Sequence, residues 1–370
     1  MVLYAAVTAV TVLFACLISK KSTMTEYGIS QKTVLNRVCM LIIFSILFFV
    51  SAFRIEVGND YGTYVTTCHE IYQKGYVVTE PGYNLVVRLL YTLSGKEDYL
   101  LMFAFFAFIT VFLFLKIFAQ QSDHFAWTFF LFMTLGIYFR TFNTVRYYFV
   151  LALSLYSMKY VLKKEYGKFV ILILLGALFH KSVLFVLPVY FLANHTFKKY
   201  HYILFTALAA VGYLCKDQIM QIALKLYPSY ANTPYLENLD GSIMGIIRCV
   251  AVLVLCLVCY REGIKDNRAN TFYANLTFFA LLLYACGSFI PLLSRFSYYL
   301  ITAQILLIPG LLVRITDLKK KRILSVLTAV VSLLYFALFL KTGSQDGIRI
   351  LPYKSWLFYG REWLDATQIF

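Results

Sequence analysis

The chain has 370 residues, of which 61% are hydrophobic and only 14% are charged, and its formal net charge is +16. Such a composition excludes a water-soluble protein. The positive excess needs no nucleic-acid partner to explain it, because Lys and Arg collect in the cytoplasmic loops of membrane proteins and there attract anionic lipid headgroups.

Long apolar runs predict membrane-spanning helices, since about 17–25 helical residues cross the hydrocarbon core and lipid tolerates only helices or closed barrels. In chain order the runs are 2–18, 38–53, 100–118, 126–139, 145–162, 201–215, 243–260, 270–290, 296–313 and 323–340. We therefore expect an all-α, polytopic integral membrane protein with about ten full transmembrane helices. No internal repeat or linker divides the chain, so residues 1–370 are predicted to form a single transmembrane domain.

One further apolar run, 169–193, is interrupted at its centre by His180 and Lys181. A single span here would move the later basic loops across the membrane, against the charge rule. We therefore predict a re-entrant helical hairpin, whose half-helices 169–179 and 182–193 meet at these two polar residues. Broken helices at membrane depth are tolerated where they line a polar cavity.

The predicted loops divide into a strongly basic set and a nearly balanced set. The basic set carries 19 Lys and Arg against 6 Asp and Glu, a net +13, and comprises 19–37, 116–124, 159–168, 194–200, 260–268 and 314–322. The second set carries 15 against 12, a net +3, and comprises 54–99, 140–146, 180–181, 216–242, Arg248, 287–295 and the tail from 341. Because basic loops stay in the cytoplasm, both termini and the long loops 54–99 and 216–242 are predicted outside it. In the first loop, residues 83–93 predict a short helix on the bilayer surface, and the second loop is turn-rich.

The eight cysteines predict no metal site, because Cys256 and Cys259 form a single C-x-x-C pair without a second one. Most of the others lie in or beside the apolar runs and act as small apolar residues. Cys68 and Cys215 are the ones expected at the outer face, and Cys68 is expected to react there with an impermeant thiol reagent.

Ionisable residues at the outer helix ends are the candidate functional groups, because such side chains are costly near hydrocarbon and usually have a role. Most are cationic, and Arg presents a planar fork that binds phosphate oxygens bidentately. For each arginine the alternative is an anchor that snorkels to the interface. Together they indicate a ligand that bears phosphate or pyrophosphate. The group comprises Arg54, Asp60, Glu80, Arg140, Arg146, His180, Lys181, Arg248 and Arg295.

Five short motifs are spread over nearly the whole chain: Phe53-Arg54-x-x-Val57-Gly58-x-Asp60-Tyr61-x-x-Tyr64, Glu80-Pro81-Gly82-Tyr83, Asn143-x-x-Arg146, Phe179-His180-x-Ser182 and Ser294-Arg295-Phe296-x-x-Tyr299. Their order and spacing resemble the EpsG-type, Wzy-like polymerases of bacterial exopolysaccharide, capsule and O-antigen synthesis. The chain departs from the family pattern at Tyr147, where the family has a glutamine. The role of the preceding Arg146 transfers, and any glutamine role is left open.

The resemblance implies a fold of many transmembrane helices, GT-C-like and related to the O-antigen ligases, in the bacterial inner or plasma membrane. It also implies polymerisation of undecaprenyl-pyrophosphate-linked oligosaccharide units on the outer face, without a nucleotide sugar, metal or other cofactor. The expected partners are this lipid-linked glycan and membrane lipid, and a chain-length regulator and a flippase are further candidates. A ligase that transfers finished glycan to another acceptor would use the same chemistry.

This reaction needs a base for the attacking sugar hydroxyl and cations for the departing pyrophosphate. The candidate catalytic residues are His180, Asp60 and Glu80, and the alternatives are a structural hydrogen bond for the histidine and a helix cap for Asp60. The candidate substrate and pyrophosphate ligands are Arg54, Arg140, Arg146, Lys181, Arg248, Arg295, Tyr61 and Tyr299. Outer-loop tyrosines could also stack on sugar rings, although aromatic belts at the two interfaces explain most tyrosines of such a chain; this set comprises Tyr61, Tyr64, Tyr72, Tyr76, Tyr83, Tyr227, Tyr230, Tyr235 and Tyr353.

Two other functions share many of these features. A flippase or exporter of lipid-linked oligosaccharide would also have many spans and a cationic cavity, but transporters are commonly built from two related halves, and none are visible here. A membrane O-acetyltransferase acting on exported glycan would also use a histidine. It would need that histidine toward the acyl donor, whereas the predicted hairpin tip faces outward.

Overall fold

The structure is a computed structural model that describes residues 1–19, 31–73, 77–226, 243–286, 293–345 and 348–359. These residues are helical without a β-strand, apart from one isolated bridge between Arg54 and Ser355. A 3-10 helix covers Lys181–Phe185, and a π-helical turn covers Tyr260–Ile264. The α-helices are α1 Val2–Leu17, α2 Gln31–Ala52, α3 Tyr61–Tyr72, α4 Pro81–Ser94, α5 Tyr99–Gln121, α6 Phe125–Thr134, α7 Ile137–Arg140, α8 Val145–Leu162, α9 Tyr166–Ala177, α10 Val186–Ala193, α11 Lys199–Leu214, α12 Lys216–Leu226, α13 Ile243–Val258, α14 Arg268–Cys286, α15 Leu293–Ile301, α16 Gln304–Arg314, α17 Leu318–Lys341 and α18 Trp356–Tyr359. The predicted all-α class is confirmed for the described part of the chain.

Within these ranges, five helical segments are long and apolar enough to cross a membrane, or six if the bent pair of α11 and α12 counts as one span. The five are Gln31–Ala52, Tyr99–Gln121, Arg268–Cys286, Arg295–Arg314 and Leu318–Lys341. Other predicted runs form shorter apolar helices, among them α1, α6 and α13. The structure therefore supports a polytopic membrane protein, and the count of about ten full spans stays a prediction.

Local breaks explain why two predicted runs are not single regular helices. In the run 126–139, Gly136 adopts a φ of +71° and separates α6 from α7. A side chain at this glycine would meet the ring of Phe339 at 2.9 Å, so the break is also a point of close packing. In the run 296–313, Thr302 and Ala303 separate α15 from α16.

Contacts between residues divide the chain into two compact units: unit 1 is Met1–Tyr156, Leu174–Lys181 and Lys319–Phe370, and unit 2 is Ser157–Ile173 and Ser182–Leu318. In unit 1, α2 packs against α1 and α5, and α3 packs against α4. In unit 2, α14 is the central helix and contacts α10, α11, α13, α15 and α16.

The apolar run 169–193 folds back on itself, as predicted. The ring centroids of Phe169 and Tyr190 are 6.0 Å apart, and those of Tyr166 and Phe191 are 5.1 Å apart. A continuous helix would separate the second pair by roughly 38 Å, at a rise of 1.5 Å per residue. These contacts exclude a single straight span and confirm the hairpin, while its depth in the bilayer stays a prediction.

The two long segments that are predicted to lie outside, 54–99 and 216–242, both contain helices. The helix predicted over residues 83–93 is confirmed as α4, which begins with Pro81 in the first position and ends before Gly95 at a φ of +69°. Its place on the bilayer surface stays a prediction. The segment 216–242, predicted to be turn-rich, begins instead with helix α12. Its remainder, 227–242, lies outside the described residues.

Candidate functional site

Arg146 and Glu80 form an ion pair inside unit 1. Nη1 of Arg146 donates to Oε2 of Glu80, and Nε lies 3.4 Å from the Tyr64 hydroxyl, to which it donates. The guanidinium also lies over the rings of Tyr64 and Tyr83, at 5.6 and 5.0 Å from their centroids. The two charged side chains are only 18% and 16% exposed. We call these four residues the Glu80–Arg146 centre.

One edge of the Arg146 guanidinium stays available for a ligand. Among the described residues, hydrogen bonds are made by its Nε and Nη1, and none is made by Nη2. Burial between two aromatic rings limits how far the planar group can turn. The remaining N–H groups are therefore presented in a fixed direction, which suits the recognition of phosphate oxygens.

The second oxygen of Glu80 connects this centre to the tip of the hairpin. The backbone N–H of Lys181 donates to Oε1 of Glu80 over 3.3 Å. Two residues further along, the N–H of Gly82 donates to the carbonyl oxygen of Leu178 over 2.8 Å. A Cβ at Gly82 would lie 2.7 Å from that oxygen, so this approach of the two backbones requires glycine. The Glu80-Pro81-Gly82-Tyr83 motif therefore joins the start of α4 to the hairpin.

His180 lies at the hairpin tip and directly precedes Lys181, whose backbone N–H donates to Glu80. It is buried, and its ring meets the Tyr147 ring edge-on at a centroid distance of 5.4 Å. Tyr147 directly follows Arg146 in α8. The fold thus brings Arg146 and the backbone N–H that follows the predicted base to the two oxygens of one glutamate.

Asp60 holds the segment that leads into Arg146. Its Oδ2 accepts a 2.6 Å hydrogen bond from the Thr144 hydroxyl, and the neighbouring Asn59 N–H donates to the Asn143 side-chain oxygen over 3.1 Å. Asp60 occupies the N-cap position of α3, but its side chain makes no capping hydrogen bond. The alternative that the Asp60 side chain caps α3 is therefore wrong. The carboxylate instead accepts a hydrogen bond from Thr144, in the segment 143–146.

Arg54 and Tyr61, two of the predicted ligands, are buried in unit 1. Burial is the largest effect on Arg54 and lowers its pKa below the usual arginine value. Tyr61 stacks on Phe103, at a centroid distance of 4.5 Å. Neither side chain is placed to reach a ligand, and both support the loop around the centre. The guanidinium of Arg54 donates to the backbone carbonyl oxygens of Ser51, Val57 and Phe142.

The other predicted cations of unit 1 have different surroundings. The Arg140 guanidinium lies 5.0 Å from the centroid of the Phe339 ring, a cation–π contact. The Lys181 side chain is exposed, and only its backbone N–H contributes to the centre. The predicted role of the Lys181 side chain as a substrate ligand stays a prediction.

Unit 2 holds the remaining predicted ligands. Arg248 donates from Nε to the side-chain oxygen of Gln304 over 2.6 Å, and Arg295 lies half-buried on α15. The buried Tyr299 hydroxyl shares a 2.9 Å hydrogen bond with Ser182. Gln304 was not predicted as a site residue, although a glutamine inside an apolar run is a signal for such a partner.

Tyr64 and Tyr83 are buried against Arg146, so they are not available to stack on sugar rings. Burial is also the largest effect on both hydroxyls and raises the pKa of each. Tyr72, by contrast, is 49% exposed. Four other tyrosines of the predicted set lie outside the described residues: Tyr76, Tyr227, Tyr230 and Tyr235.

Cys68 is not at the surface, which corrects the expected reaction with an impermeant reagent. Its thiol is buried 3.4 Å from the Tyr83 hydroxyl, and burial raises the pKa of the thiol to about 11. Both effects suppress the reactive thiolate. As for metals, no three His, Cys, Asp or Glu side chains of the described ranges are grouped so that they could hold an ion.

A comparison with protein-family models matches the EpsG family over residues 37–355, most of the chain. The chain belongs to the EpsG family. All five motifs lie inside the matched range, so the resemblance inferred from them is confirmed. Membership of the EpsG family supports a membrane protein of polysaccharide biosynthesis with a polymerase-type role. Comparisons with curated proteins and with solved structures give no match.

Proposed function

We propose that this EpsG-family protein is a glycosyltransferase that polymerises undecaprenyl-pyrophosphate-linked oligosaccharide units on the outer face of the bacterial cell membrane. The observation that carries the proposal is the Glu80–Arg146 centre. It holds a partly buried guanidinium in one orientation, leaves Nη2 for a ligand and adjoins a buried histidine. These are the two kinds of group that this reaction needs, a fixed cation and a base.

In the proposed reaction, a hydroxyl of the acceptor sugar attacks the anomeric carbon of the donor glycan. The bond from that carbon to the pyrophosphate oxygen breaks, and the lipid pyrophosphate leaves with the electron pair. Arg146 stabilises the negative charge that develops on this leaving group. Because the guanidinium is already oriented and poorly exposed, little reorganisation is needed as the charge appears.

His180 is the proposed general base that takes the proton of the attacking hydroxyl. A neutral imidazole can accept a proton near physiological pH. Glu80 is less suited to this role, because its two oxygens already accept from Arg146 and from the Lys181 N–H. We assign Glu80 to positioning, and we keep Asp60, which accepts from Thr144, as the second candidate base.

Arg248, Arg295 and Tyr299 of unit 2 remain proposed ligands of lipid-linked glycan. Each is testable by a replacement that removes one feature: Lys for the two arginines, and Phe for the tyrosine. A chain-length regulator and a flippase remain proposed partners of the protein in the cell.

Deleting the gene and separating the accumulated lipid-linked glycans on a gel tests the function. Single repeat units would support the polymerase. Absence of exported glycan would favour a flippase, and full-length glycan without acetyl groups would favour an O-acetyltransferase.

Complementing the deletion with Arg146→Lys tests the site. Lysine keeps the charge but loses the planar fork, so we expect polymer to fall about 10–100-fold while protein abundance stays normal. The matched control is Arg322→Lys on the exposed start of α17, which should make wild-type polymer. Wild-type polymer from Arg146→Lys would contradict direct pyrophosphate recognition.

A further inference from the structure

A separate cavity opens between α3 and α4 of unit 1. Its volume is about 440 Å³, and none of its lining residues belongs to the Glu80–Arg146 centre. We call it the Tyr72–Arg88 cavity. It is lined by Ile71, Tyr72, Arg88, Tyr91, Thr92 and Gly95.

Two aromatic rings form a corner of this cavity. The rings of Tyr72 and Tyr91 are 5.8 Å apart at an angle of 82°, and Tyr72 is half exposed whereas Tyr91 is buried. Gly95 leaves the wall open, since nothing lies within 4 Å of the position its Cβ would take. Flat apolar walls with a few polar groups are typical of small-molecule sites, and the C–H face of a pyranose ring packs well on such a wall.

Arg88 supplies the cavity with a cation. In the part of the chain that the structure describes, its guanidinium makes no hydrogen bond or ion pair, and the side chain is exposed. The acidic residues that follow α4 are engaged elsewhere: Glu97 lies 3.0 Å from the His69 ring, and Asp98 accepts from the Leu100 N–H. An available guanidinium beside an aromatic wall fits a sugar that carries a carboxylate, which arginine binds bidentately.

The cavity and the Glu80–Arg146 centre are joined by α4. Glu80 directly precedes this helix, and Arg88 to Thr92 lie roughly 12–18 Å further along it, at 1.5 Å per residue. An oligosaccharide held at the centre could span this distance with a few sugar units. The cavity therefore suits the glycan that is held at the Glu80–Arg146 centre, because of its lining and its place along α4.

We propose that the Tyr72–Arg88 cavity is a glycan subsite that binds an acidic sugar residue of the polymer. It rests on the proposed function in one respect only, that the sugar belongs to the glycan being extended. Tyr72 packs against the sugar ring, and Arg88 binds its carboxylate. By holding the chain between additions, the subsite increases polymer length without taking part in bond formation.

Binding to the full-length protein in detergent micelles tests the subsite without requiring polymerisation. The probe is a fluorescently labelled oligosaccharide of glucuronic acid, compared with a glucose oligosaccharide of equal length. We expect Arg88→Gln to weaken binding of the acidic probe about 10–100-fold and to leave binding of the neutral probe nearly unchanged. Tyr72→Ala should weaken both probes, and the matched control Arg322→Gln should weaken neither.

Two results would overturn the proposal. One is equal binding of the acidic probe by wild type and Arg88→Gln. The other is an Arg88 dependence seen only with vesicles containing phosphatidylglycerol, which would make Arg88 a lipid contact. Thermal unfolding of each variant verifies that the fold is retained.

Polymer length in cells separates this proposal from the proposed function. Arg88→Gln should shorten the polymer while units are still joined at the normal rate, whereas Arg146→Lys should lower the joining of units itself about 10–100-fold. Arg88-dependent probe binding by a protein that joins no units would support the subsite and refute the polymerase. Normal joining of units by a protein that binds no acidic probe would support the polymerase and refute the subsite.

Discussion

Glu80→Gln tests how the Glu80–Arg146 centre is held together. Glutamine keeps the length of the side chain and one oxygen that can accept the Lys181 N–H. It removes the negative charge that pairs with Arg146 and turns one oxygen into an NH₂ donor. If that donor faces the guanidinium, the former attraction becomes a repulsion.

The size of the effect follows from the contacts of Arg146. A hydrogen bond between charged groups contributes about 1.5–3 kcal/mol, and this pair is at most 18% exposed, so water screens it only in part. The contacts with Tyr64 and Tyr83 remain, so Arg146 is loosened and not released. We expect the polymerisation rate to fall about 10–150-fold, which is the same free energy expressed as a rate.

The assay is polymerisation of lipid-linked repeat units by the purified protein, measured as a function of pH. A base must be deprotonated to act, so the rate falls as the pH falls through the pKa of the base. If Glu80 only positions Arg146, Glu80→Gln lowers the rate at every pH and keeps the shape of this acid limb. Loss of the acid limb in Glu80→Gln would make Glu80 the base and refute the positioning role.

Glu165→Gln is the matched control for this experiment. It removes the ion pair between Glu165 and Lys168, whose side chains are 35% and 66% exposed, and water screens such a surface pair so strongly that it contributes little. We expect a rate close to that of wild type. An equal loss in both variants would mean that the effect of Glu80→Gln is not specific to the centre.

Further predictions concern the base, the loop and the topology. His180→Gln should abolish polymer, and single lipid-linked units should accumulate and be visible on a gel, since removal of a general base costs about 10²–10⁴-fold in rate. Near-normal polymer would exclude His180 as the general base. Gly58→Ala should destabilise the protein by at least about 1–2 kcal/mol, because the φ of +105° is left-handed and an added Cβ would overlap a backbone carbonyl oxygen. Gly62→Ala, with nothing within 4 Å, should be neutral or slightly stabilising, and equal melting temperatures for the two variants would contradict this reasoning. A cysteine introduced at Val78, which is 85% exposed, should react with an impermeant maleimide on intact cells, whereas the buried Cys68 should not. Failure of the cysteine at Val78 to react would overturn the predicted outside location.

The hairpin was predictable because its cause is local. Two polar residues interrupt a run that is otherwise apolar, and the charge pattern of the later loops excludes the alternative topology. The contacts between Phe169 and Tyr190 agree with that reasoning. The number of full spans does not follow from local sequence, because breaks such as the one at Gly136 depend on what packs beside the helix, here Phe339.

The sequence names candidate site residues and does not give their arrangement. Their charge at the predicted outer helix ends placed Arg54, Glu80, Arg146 and His180 in one group, and Arg54 was predicted to bind the substrate. Arg54 instead binds backbone carbonyl oxygens. A sequence pattern shows that an arginine is present. It does not show which hydrogen-bond acceptors the guanidinium contacts after folding.

Sequence alone determined the class of this protein, the hairpin and its family, because hydropathy, charge distribution and motif order are properties of the chain read in one dimension. Only the tertiary structure decided which charges meet. Glu80 directly precedes α4, and Arg146 lies far along the chain in α8. Their ion pair forms because Gly82 lets α4 approach the hairpin tip while Tyr64 and Tyr83 enclose the guanidinium. The role of each ionisable group depends on such neighbours, since burial and hydrogen bonding fix whether it supports the fold or stays available to a ligand.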